Sequence, residues 1–431
     1  MPEEGGAGSD DEVGRRALAR TRRRLIPFLF LLYIVSYLDR INVGFAALQM
    51  NEALGFSARV FGMGAGIFFL GYVLFEVPSN LALERFGARR WIARIMISWG
   101  LASAAMMFVQ GPASFFALRF VLGVGEAGFF PGMILYLTYW FPAAERARAV
   151  AQFMTATAIA GVVGGPVSGA LLSLDGLGGL AGWQWLFVVE GLPAVLLGFV
   201  VRRFLTDRPE DAEWLPPDER AWLSARMREE REERARAHPI GVGSVFASPI
   251  VWRLALLYFS LVIGLYGISF WLPQIVRGFS GLGDFEVGLV SAVPYLVAAA
   301  GMVWVATHSD RTGERRWHVA APALIGMFGF LASAYASAPV PALVALSVAA
   351  FGIWGAVGPF WAMPTSFLHG PAAAAGIALI NSVGNVGGFV GPYALGWARE
   401  ATGSFRGGIL VLALGLACAA ALALAGPRQR H

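Results

Sequence analysis

The sequence predicts an all-α integral membrane protein with twelve transmembrane helices. Apolar residues make up 57% of its 431 residues and charged residues 14%, whereas an average soluble domain has about a quarter of its residues charged. The apolar residues fall in long continuous runs, each close to the roughly 20 residues that a helix needs to cross a bilayer. Continuous runs favour helices over a membrane barrel, because barrel strands alternate between apolar and polar residues.

Twelve runs of this kind can be counted along the chain. They span residues 25–47, 60–83, 91–110, 114–140, 150–172, 183–201, 251–275, 286–307, 317–337, 341–364, 373–397 and 408–426. The first run follows a charged leader without a small-residue cleavage site, so we expect a retained helix rather than a signal peptide. The single cysteine, Cys418, has no second cysteine to pair with, which excludes disulfides and thiolate metal sites.

Basic residues are distributed unevenly between the two sides of the predicted bundle. All 33 basic residues are arginines, and most of them precede run 1 or follow runs 2, 4, 6 and 8. The loops of the opposite side hold only Arg59, Arg277, Arg399 and Arg406. By the positive-inside rule, this asymmetry predicts a multi-pass protein of the cytoplasmic membrane with both termini in the cytoplasm. The net charge of +5 therefore reflects topology rather than nucleic-acid binding.

A long polar stretch divides the chain into two halves. The predicted domains are a cytoplasmic tail (1–24), a six-helix bundle (25–201), a cytoplasmic linker with a surface helix (202–250), a second six-helix bundle (251–426) and a short tail (427–431). The linker helix carries a short apolar stripe of Trp222, Leu223 and Met227. We interpret it as a solvated connector, with a partner-binding surface as the alternative.

An internal repeat with an offset of 226 residues relates the two bundles. The pattern acid-Arg-x-Gly-x-Arg-Arg occurs at 84–90 and again at 310–316. Two glycines and a proline of run 5 recur in run 11 at the same offset. These pairs are Gly161 and Gly387, Gly165 and Gly391, and Pro166 and Pro392. Because six runs, an even number, separate the copies, the halves have the same orientation and form a parallel repeat.

With these motifs, the sequence resembles the major facilitator superfamily over essentially its whole length, and within it the anion:cation symporter family. Asn80 stands where the 84–90 signature usually has its leading glycine. Other matching stretches are 37–44, 77–81, 119–123, 126–131, 207–209, 214–215, 380–382 and 385–388. The segment from Phe360 to Tyr393 is similar to members that import tartrate or phthalate-type acids. The resemblance implies the major facilitator fold and proton-coupled uptake of a small organic carboxylate, such as tartrate, a sugar acid or an aromatic acid.

Six charged residues fall inside the predicted runs: Asp39, Arg40, Glu76, Arg119, Glu126 and Glu190. Each costs on the order of 2.5–3.5 kcal/mol at a helix centre, so such residues are usually functional. At about 1.5 Å per residue, four of them lie in one layer between the outer third and the midplane. Arg119 and Glu126 are seven residues apart on one helix face, two turns from each other. They cannot easily pair together, but each can meet a partner on run 1.

We interpret Arg40 and Arg119 as substrate-binding residues, because a guanidinium can bind a carboxylate through two parallel hydrogen bonds. Asp39 and Glu126 are then the proton-coupling residues, since moving an arginine towards or away from a carboxylate switches its protonation. A static buried salt bridge is the alternative. The repeat argues against it, because the second bundle forms the same unit with uncharged residues at the four corresponding positions. These are Leu265, Tyr266, Ala345 and Gly352.

Two further carboxylates and the histidines are assigned no transport role. Glu76 and Glu190 are interpreted as structural, satisfying helix ends or arginines such as Arg94. The five histidines all lie outside the predicted runs, at positions 238, 308, 318, 369 and 431. Carboxylates are therefore the expected proton carriers.

Uncharged side chains are expected to recognise the rest of the ligand. Tyr37 and Tyr72 offer hydroxyls, Asn381 offers an amide that donates and accepts, and Trp361 offers an apolar face. Taken alone, each of these side chains is explained equally well by packing in the protein core. The family resemblance adds weight to Tyr37, Tyr72 and Asn381, because sugar-acid binders of that family use matching positions.

The two repeated loops are expected to act as gates. Their acids and arginines are spaced to bridge helices at the cytoplasmic face, where such bridges would hold the outward-open state and break as that side opens. The gating residues are Glu84, Arg85, Gly87 and Arg89 in the first loop, and Asp310, Arg311, Gly313 and Arg315 in the second.

The sequence thus favours a monomeric proton:organic-anion symporter that contacts lipid and needs no cofactor beyond the proton gradient. An exporter or proton antiporter of organic anions on the same fold is the alternative, followed by a nutrient sensor that does not transport. A membrane enzyme is least favoured, because the sequence has no nucleophile–base pair, metal-spaced cluster or phosphate-binding loop.

Overall fold

The computed structural model describes residues 5–236, 246–367 and 370–426, and these ranges consist of helices joined by short loops. The helices are α1 (Gly5–Leu54), α2 (Ala58–Phe86), α3 (Ala88–Ala105), α4 (Pro112–Glu126), α5 (Phe129–Trp140), α6 (Ala143–Met154), α7 (Ala156–Leu172), α8 (Gly182–Phe204), α9 (Pro217–Arg236), α10 (Pro249–Ser280), α11 (Asp284–Thr312), α12 (Arg316–Tyr335), α13 (Pro339–Phe367), α14 (Gly370–Thr402) and α15 (Arg406–Leu424).

Eleven segments of the described chain are long and apolar enough to cross a membrane. The remaining predicted run, 373–397, lies in α14, which is long enough at 33 residues. Its middle carries Asn381, Ser382 and Asn385, which make it less apolar than the others. The all-α membrane class predicted from the sequence is confirmed.

The predicted run 114–140 is not one continuous helix. α4 ends at Glu126 and α5 begins at Phe129, with Gly128 between them at φ +84°. Only glycine adopts this left-handed conformation without steric cost. A Cβ on Gly128 would also lie 2.4 Å from the Oγ atom of Ser79 on α2. The break places the carboxylate of Glu126 at the end of a half-helix.

The most extensive contacts between the halves are made by two helix pairs, α2 with α14 and α7 with α11, and the repeat relates one pair to the other. A Cβ built on Gly62 would lie 2.6 Å from the carbonyl oxygen of Pro392, and one on Gly165 would lie 2.4 Å from that of Gly288. Gly62 and Gly288 are themselves 226 residues apart. The backbones therefore approach closely at both seams, as small residues permit between membrane helices.

One end of the bundle is closed by bonds between the halves. We call the end that carries α9 the linker end and the opposite end the far end. At the far end, Gln49 of α1 donates to Asp284 of α11 at 2.6 Å. The Ser57 hydroxyl and the backbone N–H of Arg59 both donate to Glu400 of α14. In this conformation the far end is shut.

The linker helix α9 is docked on the first half rather than free in solvent. Arg20 of α1 donates to Glu219 at 2.9 Å, and Arg146 of α6 donates to Glu230 at 2.8 Å. Leu223, from the apolar stripe, is fully buried. The stripe therefore packs on the first bundle instead of facing water or a partner.

The close approach at Gly165 generates a stability prediction. Gly165→Ala is expected to destabilise the protein by about 1–3 kcal/mol, because the added methyl must push away the carbonyl oxygen of Gly288. Gly111→Ala is the matched control, since a Cβ there meets nothing within 4 Å and its φ of −179° suits any residue. Thermal melting in detergent measures the difference. Equal melting temperatures for the two variants would contradict the tight seam.

Candidate functional site

A buried ion pair lies in the middle of the bundle, between α1 and the end of α4. Arg40 Nη2 contacts Glu126 Oε1, and the Ser36 hydroxyl, one turn earlier on α1, donates to the same oxygen at 2.9 Å. The side chains of Arg40 and Glu126 are 7% and 1% exposed. Each charge compensates the other at a depth where an unpaired charge is costly.

Arg40 also contacts the second half. Its Nη1 donates to the hydroxyl of Tyr266 on α10 at 2.9 Å. The two residues are 226 positions apart, so they are equivalent in the repeat and meet where its axis runs between the halves. Because the guanidinium is bonded to both halves, movement of one half against the other must change its partners.

Aromatic side chains surround this guanidinium. The ring centroids of Phe68 and Tyr72 on α2 each lie 5.4 Å from Arg40 Cζ, within the range of cation–π attraction. Tyr37 is buried on α1 against Ser269 of α10. Of the two tyrosines singled out from the sequence, Tyr72 therefore lies beside Arg40 and Tyr37 lies at the interface between the halves.

Arg119 does not join the ion pair. It is fully buried, and its Nε and Nη2 donate to the carbonyl oxygens of Gly64 and Ala65 on α2, each at 3.2 Å. The expectation of a partner on run 1 was wrong, because α4 packs on α2 rather than α1 at this depth. Nη1 has no hydrogen-bond partner among the described residues, and the Phe270 ring of α10 lies 5.7 Å from the Cζ atom.

Asp39 points away from the ion pair into the first half. It accepts hydrogen bonds from Trp99 Nε1 at 2.8 Å and from Ser103 Oγ at 2.7 Å, both on α3. In the part of the chain that the structure describes, no arginine forms an ion pair with it. Consecutive residues of a helix point about 100° apart, so Asp39 and Arg40 cannot both face the interface.

Asn381 of α14 contacts a carboxylate of the other half. Its Nδ2 donates to Glu76 Oε1, and the Ser382 hydroxyl donates to Oε2 at 3.2 Å. The interpretation that Glu76 serves a helix end or Arg94 was wrong, because Arg94 donates to Ser79 at 3.4 Å instead. Sequence reasoning missed this pairing, since Glu76 and Asn381 are 305 residues apart. The sequence feature that could have indicated a specific partner for Glu76 was the energetic cost of placing a carboxylate inside the membrane.

Two other singled-out residues lie outside the ion pair. The Trp361 ring packs edge-to-face on Tyr258, with centroids 4.9 Å apart. Glu190 accepts from the Ser168 hydroxyl at 2.8 Å, which ties α8 to α7 within the first half. Trp361 thus contributes to an aromatic cluster of the second half, while Glu190 has the contacts of a structural residue.

The first gate loop lies at the linker end and is bound within its own half. The backbone N–H of Arg89 donates to Asp207, which follows α8, at 2.8 Å. Gly87 has φ +87° and connects α2 to α3 with a conformation that favours glycine. Glu84 and Arg85 form no ion pair within the described ranges. In this conformation the loop therefore braces the first half without bridging to the second.

The second gate loop is also internally bonded. Arg315 donates to Asp310 at 2.6 Å, and Gly313, with φ +69°, ends α11. Arg311 forms no ion pair with the residues that the structure describes. Partial burial raises the pKa of Glu314, but hydrogen bonds from the first turn of α12 outweigh it and hold the pKa below its ordinary value.

The described residues contain no group of three His, Cys, Asp or Glu side chains placed to hold a metal ion. His308 and His318 contact each other at the linker end, with ring nitrogens 2.6 Å apart. His238, His369 and His431 lie outside the described residues. The titratable groups around the central ion pair are thus carboxylates and tyrosines.

Known proteins with similar sequences are membrane transporters. The chain matches the family model described as Major Facilitator Superfamily over residues 29–392. It is 54% identical over 405 residues to a protein of Agrobacterium vitis named "Putative tartrate transporter", covering 94% of this chain and 93% of that protein. It is 42% identical over 391 residues to the "Quinolone resistance transporter" of Acinetobacter baumannii, covering 91% and 90%.

The fold is similar to that of a solved major facilitator structure. A bacterial homolog of the human lysosomal transporter Spinster, in an inward-facing and occupied conformation, aligns with a TM-score of 0.76. Sequence identity is 19%, and the alignment covers 94% of this chain and 96% of that one. The paired bundles, the repeated loops and these similarities all indicate the same family. The chain belongs to the major facilitator superfamily, whose members are transporters rather than enzymes.

Proposed function

We propose that the protein takes up a small organic carboxylate together with protons across the cytoplasmic membrane. The observation that carries the proposal is the buried Arg40–Glu126 pair and its hydrogen bond to Tyr266 of the opposite half. The pair combines the group that best binds a carboxylate with a group that can carry a proton, and it lies between the halves. The tartrate name of a relative with 54% identity supports the substrate class.

Glu126 and a substrate carboxylate compete for the same guanidinium. When Glu126 is ionised, it occupies Arg40 Nη2. When Glu126 takes a proton, the guanidinium loses its anionic partner and can bind the substrate carboxylate bidentately. The site then holds no unpaired charge in either state, which avoids a large cost inside the membrane. The proton bound at Glu126 and the substrate carboxylate therefore enter together, with the proton gradient as the energy source.

The neighbouring residues supply the rest of the recognition. Arg119 directs its unpartnered Nη1 towards a ligand oxygen, while its other nitrogens are held by α2. Tyr37, Tyr72 and Asn381 hydrogen-bond the hydroxyl groups of the acid, and Trp361 covers its carbon skeleton. Asp39, the other predicted proton site, acts through the packing of α1 against α3 rather than on the ligand.

Transport proceeds by alternating access of the central site to the two ends. The glycine-lined seams allow one half to rock on the other, since close backbone packing there involves few interlocking side chains. The bonds of Asp284 and Glu400 at the far end break when that end opens, and the gate loops then bridge the linker end. The arginine-rich linker end faces the cytoplasm, and one chain supplies both halves, so a monomer suffices.

Export or proton antiport is the second candidate. The observation that favours it is the 42% identity to a protein named for quinolone resistance. A proton-linked arginine–glutamate pair serves either direction, because coupling requires only that the proton and the ligand change the occupancy of Arg40. A sensor that binds without transporting is the third candidate.

Transport by purified protein in proteoliposomes distinguishes these candidates. With an inward proton gradient, labelled tartrate and related acids are expected to accumulate, and collapsing the gradient should leave only equilibration. Proton-driven loss of the acid from the vesicle would indicate antiport. Binding without flux would indicate a sensor. Failure of every small carboxylate in a thermal-shift screen would contradict the proposed substrate class.

Glu126→Gln is expected to separate binding from coupling. Glutamine keeps the size and hydrogen bonding of a permanently protonated Glu126, so counterflow exchange of the acid should persist. Accumulation against a gradient should fall well below the wild-type level, because no proton can leave from position 126. Glu190→Gln, a buried carboxylate within one half, is the matched control and should accumulate normally. Wild-type accumulation by the folded Glu126→Gln variant would show that Glu126 carries no coupled proton.

Arg119→Lys is expected to abolish uptake although the charge is kept. A lysine ammonium is a single nitrogen without the planar fork of a guanidinium. It cannot hold both backbone carbonyls of α2 and also direct a separate nitrogen towards the ligand, as Arg119 does with Nη1. Initial rates and apparent affinity in proteoliposomes measure the effect. Arg94→Lys, at the linker side of α3, is the control and should retain most activity. Unchanged affinity in Arg119→Lys would remove Arg119 from the binding site.

A further inference from the structure

We propose that Glu76 is a second proton site, which competes with the substrate for Asn381 and Ser382 and thereby links substrate release to proton release at the linker end. The inference rests on the proposed carboxylate–proton symport. It assigns to Glu76 a role that differs from the structural one expected from the sequence, and it begins from the contacts of this side chain.

Among the described residues, the buried carboxylate of Glu76 accepts hydrogen bonds from neutral donors only. It is 3% exposed, and its two oxygens accept from the Asn381 amide and the Ser382 hydroxyl of the other half. No arginine lies within ion-pair distance of it in the described part of the chain. The charged and titratable groups that interact electrostatically with it include Arg40 of α1, Tyr72 of its own helix and Tyr258 of α10. Its negative charge therefore depends on the two donors of α14.

The contact lies on the linker side of the central ion pair. Helices α2 and α14 run antiparallel, and their seam can be followed from the far end towards the linker end. Successive contacts are Ser57 with Glu400, Gly62 with Pro392, Gly66 with Phe389, Gly388 with Phe69, and Glu76 with Asn381. Arg40 lies beside Phe68 and Tyr72, one turn before Glu76. A ligand that leaves Arg40 for the linker end thus passes the Glu76 contact.

Glu76 carries the same chemical group as the proposed substrate. The amide of Asn381 and the hydroxyl of Ser382 suit a carboxylate or hydroxyl oxygen of an organic acid equally well. The single O–H of Ser382 cannot serve both at once, and neither can the Asn381 N–H that bonds Glu76. When the substrate takes these donors, Glu76 is left as a buried charge without partners, and it becomes neutral by forming an O–H bond with a proton from water.

Release reverses these steps. The proton on Glu76 leaves to water at the linker end, and the resulting carboxylate takes back the donors of Asn381 and Ser382. The substrate then loses these bonds and cannot rebind until Glu76 is protonated again. The structure, with Glu76 bound to both donors and the far end closed, corresponds to the state after release.

The test measures tartrate binding to the purified full-length protein in detergent over a series of pH values. If Glu76 must be protonated for binding, the apparent Kd for tartrate rises with pH. Because Gln at position 76 cannot take up a proton, tartrate binding by Glu76→Gln is coupled to the uptake of one proton fewer. The slope of log Kd against pH is then expected to fall by about one, a tenfold change per pH unit. A pH-indicator dye should also register about one proton fewer taken up per bound tartrate.

Two variants complete the test. Glu190→Gln makes the same change at a buried carboxylate bound to Ser168 in one half, and it should keep the wild-type slope. Glu76→Asp keeps a titratable group, but its side chain is too short to bond both Asn381 and Ser382. The carboxylate of this variant therefore competes less well with the substrate for these donors, and the variant should bind tartrate more tightly than wild type at high pH. This variant decides the question if Glu76→Gln does not fold, and wild-type affinity at high pH would then overturn the inference.

The outcomes separate this inference from the proposed function. If the wild type binds tartrate and Glu76→Gln keeps the wild-type slope and proton count, Glu76 carries no coupled proton and only this inference fails. If the wild type binds neither tartrate nor any other acid of the carboxylate screen, the proposed function fails and this inference fails with it.

Discussion

The central constraint on this protein is the need to satisfy a guanidinium in the middle of a membrane bundle. The partners of Arg40 come from three other helices: the carboxylate of Glu126 on α4, the hydroxyl of Tyr266 on α10, and the rings of Phe68 and Tyr72 on α2. Removing one member of a buried pair typically costs about 3–5 kcal/mol. These four helices are therefore held in one arrangement around a single charge.

The two halves share a fold but divide the chemistry unequally. In the middle of the interface the first half contributes the charges, Arg40, Glu126 and Glu76. The second half contributes neutral partners there, Tyr266, Asn381 and Ser382. A change in the angle between the halves must therefore change which groups compensate the charges. In the proposed mechanism, this division lets a proton or an anion bias the conformation, because either one alters the charge balance at the same interface.

The seams and the far end explain how such a bundle can be both closed and movable. The glycines at Gly62 and Gly165 allow backbone contact without interlocked side chains, and the far end is shut by a few polar bonds that water can replace. The central residues are almost fully buried, so the site is occluded in this conformation. In the proposed alternating access, replaceable contacts at the ends of the halves suit rocking about the central site better than bending within a half.

The sequence by itself determined the membrane class, the twelve runs and the parallel repeat, because the length of an apolar run and the spacing of a repeat are local properties of the chain. It also identified the six intramembrane charges, since each is costly wherever it lies. It did not reveal the break at Gly128, which depends on a positive φ and on the nearby Ser79. Only the tertiary structure decided the partners: Glu126 for Arg40, α3 for Asp39, the backbone of α2 for Arg119, and Asn381 for Glu76. Those pairings depend on how each helix is rotated and which distant helix packs against it, and neither property is encoded in composition or spacing.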